Sequence, residues 1–139
     1  MMIKVIPVTT PEELAEVHRI RRIVFVEEQQ CPPELEYEFE EESNHFLAYV
    51  DGAPAGAARW RATDYGFKLE RFSVLQEFRG LRVGQALLSN VISALPVERK
   101  PVYLHAQYTA VGFYKKYGFI VEGEHFWEAG IEHVKMHLH

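Results

Sequence analysis

The chain has little with which to cross-link itself, enter a membrane or grip a polyanion. Cys31 is the only cysteine in 139 residues, so no intrachain disulfide can form, and a reducing compartment is the matching expectation. Nothing near Cys31 reads as a dedicated base, so it makes a poor candidate nucleophile. No apolar run approaches the ~20 residues that span a bilayer, and Met1-Met2-Ile3-Lys4-Val5 lacks a secretory layout. A soluble, cytoplasmic protein with no membrane partner is expected. Basic excess is missing too: 15 Lys and Arg stand against 20 Asp and Glu, a formal charge of -5. That balance speaks against a dedicated nucleic-acid binder. There is no internal repeat and no linker, so residues 1–139 are expected to form one domain.

What is present is ordinary for a globular protein, 47% hydrophobic and 25% charged. Acid is unevenly spread, with Glu at eight of the eighteen residues from Glu27 to Asn44. Such a stretch can attract a cationic amine, although a solvated loop is the ordinary role of any one glutamate in it.

The pattern predicts a strand over Ile3–Val8, then a helix from Pro11 to about Phe25. Thr10 is its N-cap, Pro11 its first residue and Glu13 its capping-box acid. Glu27–Ser43 is irregular, broken at Pro32-Pro33. Strands follow over His45–Val50 and Ala53–Trp60, joined at Asp51-Gly52, and over Phe67–Leu75. A helix carrying Leu87, Leu88, Val91, Ile92 and Leu95 on one face begins near Gly84 and stops at Pro96. Val102–Gln107 is a strand and Thr109–Tyr117 a short helix. A strand then begins at Phe119, and Ile131–His139 alternates as the last. The fold class is α/β (α+β), a mixed central sheet flanked by helices.

The stretch Val74–Leu88 carries the most chemistry. It runs strand, glycine-containing turn, helix, which points unpaired N–H groups and the positive helix end at one spot. Arg79 and Arg82 add charge, and Gly80 and Gly84 allow close approach, so an anion fits. No Lys-Ser/Thr follows the second glycine, which excludes a P-loop. The loop also lacks the βαβ context and acidic partner of a dinucleotide fingerprint.

Arg79-x-x-Arg82-x-Gly84 resembles the GNAT pattern Arg/Gln-x-x-Gly-x-Gly/Ala, with Arg82 where most members have glycine. Gln107-x-x-Ala110-x-x-Phe113-Tyr114-x-x-x-Gly118-Phe119 resembles that superfamily's second signature, with Gln107 for Asn. Four blocks in order look like its ElaA/YjcF-like subgroup: Val24–Pro32, Arg79–Gln85, Lys100–Gln107 and Gly130–Met136. The resemblance implies the GNAT acyl-CoA N-acyltransferase fold, with acetyl-CoA as cosubstrate and direct attack of an amine on its thioester. It assigns the cofactor site to Val74, Leu75, Arg79, Gly80, Leu81, Arg82, Val83, Gly84, Gln85, Gln107, Phe113 and Tyr114.

Within that assignment Tyr114 is the expected acid for the CoA thiolate, and a backbone N–H at Val74 or Leu75 the expected oxyanion donor. Glu70 is the expected base, with an ion pair to Arg71 or Arg59 as its equal alternative; Glu28, Glu38 and His105 are lesser candidates. A small-molecule or peptide amine is the expected acceptor. A sugar amine is disfavoured by the Glu-rich loop Glu34–Glu42, and a homodimer is plausible by family habit. A non-catalytic acyl-CoA sensor is the alternative in another class. The tail places His133, His137 and His139 on one strand face, but interleaves no carboxylate or cysteine, so no metal is expected.

Overall fold

The computed structural model describes residues 1–33 and 38–138. The expectations resting on Glu34, Glu36 and His139 lie outside them. In chain order the elements are β1 (Ile3–Pro7), α1 (Pro11–Arg21), β2 (Asn44–Val50), β3 (Ala53–Ala62), β4 (Phe67–Val74), α2 (Val83–Ala94), β5 (Val102–Gln107), α3 (Val111–Lys116), β6 (Phe119–Glu128) and β7 (Ile131–Leu138). The strands form one seven-stranded mixed sheet in the order β1-β2-β3-β4-β5-β7-β6. All neighbours run antiparallel except β4 and β5, which α2 connects as a parallel crossover. The mixed central sheet flanked by helices expected above is the architecture observed.

Local chemistry starts α1 as expected. The Glu13 N–H donates to Thr10 Oγ1 at 3.1 Å, and the Glu13 carboxylate accepts from the Thr10 N–H, also at 3.1 Å. The helix then departs from the predicted span. From Arg22 to Glu28 it widens into a π-helical turn, in which the Gln29 N–H donates to Val24 O. This segment carries Ile23, Val24 and Val26, whose branched side chains crowd a tight α turn. Val24 and Phe25 of this turn are buried.

Period two in the strands divides the core. Leu47 packs with Val17 and Ile20 of α1, while its neighbours Phe46 and Ala48 pack with Leu87, Leu88 and Val91 of α2. The two helices therefore cover opposite faces. Gly56 marks the closest approach of α2, since a Cβ there would lie 2.9 Å from Ser73 O and 3.1 Å from Leu87 Cδ1. No described helix is long and apolar enough to cross a membrane.

One irregularity shapes the site. Arg59 pairs with Glu70 and Ala57 with Ser73, so Arg71 and Phe72 together oppose Ala58. Arg71 takes a left-handed φ of 58° within this β-bulge. On the other edge of β4, pairing with β5 runs only from Phe67↔Val102 to Leu69↔Leu104. Beyond that point the bulge bends β4 away, and a wedge opens between two strands that started as neighbours.

Candidate active site

The loop before α2 leaves its helix start open. At α1 the Thr10 side chain caps the first turn, but no side chain caps α2. The first intrahelical bond runs from the Ala86 N–H to Arg82 O at 3.1 Å, so the N–H groups of Val83, Gly84 and Gln85 have no acceptor within the helix. Gly80 (φ 81°) and Arg82 (φ 70°) both adopt left-handed backbone. Arg82 thus takes the conformation that glycine would supply in the common pattern, at a cost of roughly 1 kcal/mol or more.

A cavity of about 610 Å³ opens over this helix start, lined by Val74, Gly80, Arg82, Gly84, Gln85 and Phe113 among others. Its charged residues are Arg79, Arg82 and Lys116, without a carboxylate among the described lining residues. Arg82 and Lys116 form no ion pair with a described residue. In a chain with an acidic excess, two cations without a described counter-charge beside an open helix N-terminus suit an anion. Lys116 was not expected from the sequence, because it falls at a variable position of the second signature and only the packing of α3 beside α2 brings it here.

Three expected ligands behave differently from the sequence reading. The Arg79 N–H donates to Gln76 O at 3.2 Å, and its guanidinium binds Val74 O at 2.9 Å and Glu28 at 2.9 and 3.0 Å. Its backbone N–H, Nε and Nη2 are therefore engaged with the protein. Leu81 packs inward against the α2 core and does not line the cavity. The Leu75 N–H donates to Ala55 O at 2.9 Å, so Leu75 supplies no oxyanion donor. Strand alternation turns the Val74 N–H the opposite way, toward the wedge where β5 has left.

The wedge holds a second cavity, of about 150 Å³, and Tyr114, Glu70, His105, Gln107, Glu128 and His133 are among its lining residues. Tyr114 is buried in an aromatic nest, 6.2 Å from the Phe72 ring, 5.1 Å from Phe113 and 5.7 Å from Phe119. Burial pushes its phenol above the usual value, so the hydroxyl keeps its proton, and no described residue hydrogen-bonds to it. Gln107 ends β5 and donates to Gln29 Oε1 at 2.8 Å, tying the wedge to the π-helical turn.

Glu70, the expected base, sits among three cations. Its carboxylate lies 3.0 Å from Arg59, 2.9 Å from Arg61 and 3.2 Å from Lys68. Burial opposes ionisation, yet these cations outweigh it and hold the carboxyl at about 2. A group that acidic takes a proton from an ammonium poorly. Glu70 is instead the counter-charge for Arg59, which is fully buried and also meets Glu40 at 2.8 Å. Of the lesser candidates, Glu28 is committed to Arg79 and Glu38 lines an outer chamber of about 340 Å³ that continues from the wedge. His105 faces the wedge. In the tail, His133 donates from Nδ1 to Ile131 O at 2.7 Å, and His137 lies 3.8 Å from Glu122.

Comparison with known proteins gives this geometry a family. The Acetyltransferase (GNAT) domain matches residues 7–139. The chain belongs to the GNAT acetyltransferase family. It is 41% identical over 128 residues to the uncharacterized N-acetyltransferase YjcF of Bacillus subtilis (strain 168), covering 90% of this chain and 91% of that protein. The crystal structure of Escherichia coli ElaA superposes with a TM-score of 0.85 over 99% of this chain and 100% of that one, at 28% identity. An acyl-CoA N-acyltransferase from Pseudomonas aeruginosa gives 0.87 over 99% and 100%, at 25% identity. The ElaA/YjcF-like resemblance read from the four sequence blocks is therefore shown, and family membership covers the loop, the wedge and the tail alike.

Proposed function

We propose that the chain works as one GNAT domain that moves an acetyl group from acetyl-CoA to a primary amine of a small molecule or peptide, by direct attack in a ternary complex. The observation that carries this reading is the open start of α2 with its uncompensated cations, adjoining a wedge that holds a protonated tyrosine. The pyrophosphate would accept from the Val83, Gly84 and Gln85 N–H groups, with Arg82 and Lys116 neutralising its charge. The pantetheine arm is extended and carries amide groups, which suits the stretch of β4 that has lost its β5 partner.

In the wedge the amine nitrogen attacks the thioester carbonyl carbon. A C–N bond forms, the developing oxyanion accepts from the Val74 N–H, and collapse breaks the C–S bond. Tyr114 donates its phenolic proton to the departing sulfur, while the surplus N–H bond of the attacking nitrogen breaks and its proton returns through water to the tyrosinate. The acceptor enters through the outer chamber beside Phe25, Gln29 and Glu38. No metal has a part in this scheme.

The test is release of CoA from acetyl-CoA across polyamines, amino sugars, aminoglycosides and peptide amines, with calorimetric binding of CoA beside it. Turnover with at least one amine class is expected. Tight CoA binding with no turnover on any amine would replace this reading with a non-catalytic acyl-CoA sensor.

A further inference from the structure

The wedge contains a histidine–carboxylate pair that the reaction scheme above leaves unused. His105 on β5 places Nδ1 3.4 Å from Glu128 Oε1 at the end of β6, and its side chain is 26% exposed. An ionised carboxylate only accepts, so Nδ1 carries the hydrogen, and in the neutral ring Nε2 carries the lone pair. The Glu128 carboxyl is held below its usual value, first by the hydrogen bond from His105, which keeps it ionised and the tautomer fixed. Nε2 has no hydrogen-bond partner among the described residues and is not sealed from solvent. The ring is held edge-on by Phe126 at 5.0 Å. Tyr114 lines the same cavity, so a proton acceptor and a proton donor share it.

The other arm of Glu128 is also accounted for. His133 Nδ1 donates to Ile131 O, and its Nε2 lies 3.7 Å from Glu128 Oε2. One carboxylate therefore faces a histidine on each oxygen, and of the two only His105 hydrogen-bonds to it. The charged groups around His105 are Lys68, Glu70 and Arg71 on β4, Glu128 on β6, and His133 and Lys135 on β7.

We propose that His105 is the catalytic base that takes the proton from the acceptor ammonium, with Glu128 as the positioning residue that fixes its tautomer. This deepens the acetyltransferase reading and rests on it. The ammonium N–H bond breaks and an N–H bond forms at Nε2, which leaves the nitrogen electron pair free to attack the thioester carbon. The imidazolium then gives its proton to water through the open side of the wedge, so acetyl-CoA and an ammonium yield the amide, CoA thiol and one proton.

The experiment compares the full chain with its His105→Ala, Glu128→Gln and Glu128→Ala variants, using an amine accepted in the CoA-release panel. His105→Ala should lower kcat/KM at neutral pH by about 100-fold, with CoA affinity and melting temperature unchanged. Its rate should then climb roughly tenfold per pH unit until the amine deprotonates itself, closing on the parent rate. Glu128→Gln still accepts from Nδ1 and should keep most activity with the acid limb moved to lower pH; Glu128→Ala should resemble His105→Ala. A deficit of constant size at every pH indicates structural damage and overturns the assignment. An active parent with an equally active His105→Ala variant overturns the base alone. A parent that binds CoA and turns over no amine overturns the transferase reading beneath it.

Discussion

The Arg79 guanidinium reaches across from the loop before α2 to the Glu28 carboxylate, 2.9 Å away at the end of the π-helical turn. The residue expected to meet a phosphate is thereby tied to the segment that walls the outer chamber. The two side chains are 43% and 31% exposed, so the pair is worth little by itself, ~0–1 kcal/mol. Its consequence is electrostatic: Glu28 places a negative charge beside a site for an anion. Glu28→Gln should free Arg79 and tighten CoA binding by up to about 5-fold at low salt, an effect that shrinks as salt screens it. Calorimetry at two ionic strengths checks this, and unchanged or weaker binding would show that Arg79 stays on Val74 O.

Arg82 gives a prediction in which charge and backbone separate. Arg82→Ala and Arg82→Gly both remove a cation from the loop cavity, so both should weaken CoA binding alike. They differ in strain, because Arg82 sits at φ 70° and alanine gains nothing there. The glycine variant should be the more stable by about 1 kcal/mol, read from denaturant midpoints. Gly80→Ala offers the complementary case: at φ 81° its Cβ would meet nothing within 4 Å, so any loss of stability is conformational.

Glu70 predicts a pH dependence. Its folded value, about 2, lies below the unfolded 4.5, so its contribution is full above the unfolded value and is lost as pH falls through the folded one. The window is therefore about pH 4.5 down to 2, and the contribution is on the order of 3 kcal/mol. Glu70→Gln should be less stable at neutral pH, since fully buried Arg59 loses a counter-charge, and its stability should vary less across that window. Urea unfolding at stepped pH tests both points; parallel curves for the two proteins would refute the assignment.

Tyr114→Phe should leave the fold and CoA affinity nearly intact, since no described residue hydrogen-bonds to the hydroxyl and the ring packing is retained. Acetyl transfer should slow by roughly 100-fold. A variant as fast as its parent would remove Tyr114 from the reaction.

Much of the frame was legible in the sequence because its signals are local. Thr10 and Glu13 form their capping box within four residues, and the observed β5 has the predicted bounds, Val102–Gln107. The anion loop was legible for the same reason, since a strand, two left-handed residues and a helix start lie within one continuous stretch. Even the strain at Arg82 could be read, because the pattern asks for glycine there.

Charge pairing across the sheet was decided only by tertiary structure. Glu70 read as a base or as an ion-pair partner with equal warrant, and only the antiparallel register of β3 and β4 sets Arg59 and Arg61 beside it. His105 could face the core or the wedge, and Glu128, 23 residues later, carried no local sign of any role. Sequence alone determined most of the elements, the loop and the family, because those depend on neighbours along the chain. The wedge and its histidine pair depend on a bulge at Arg71 and on β6 folding back along β7, contacts between residues far apart in sequence that no short stretch encodes.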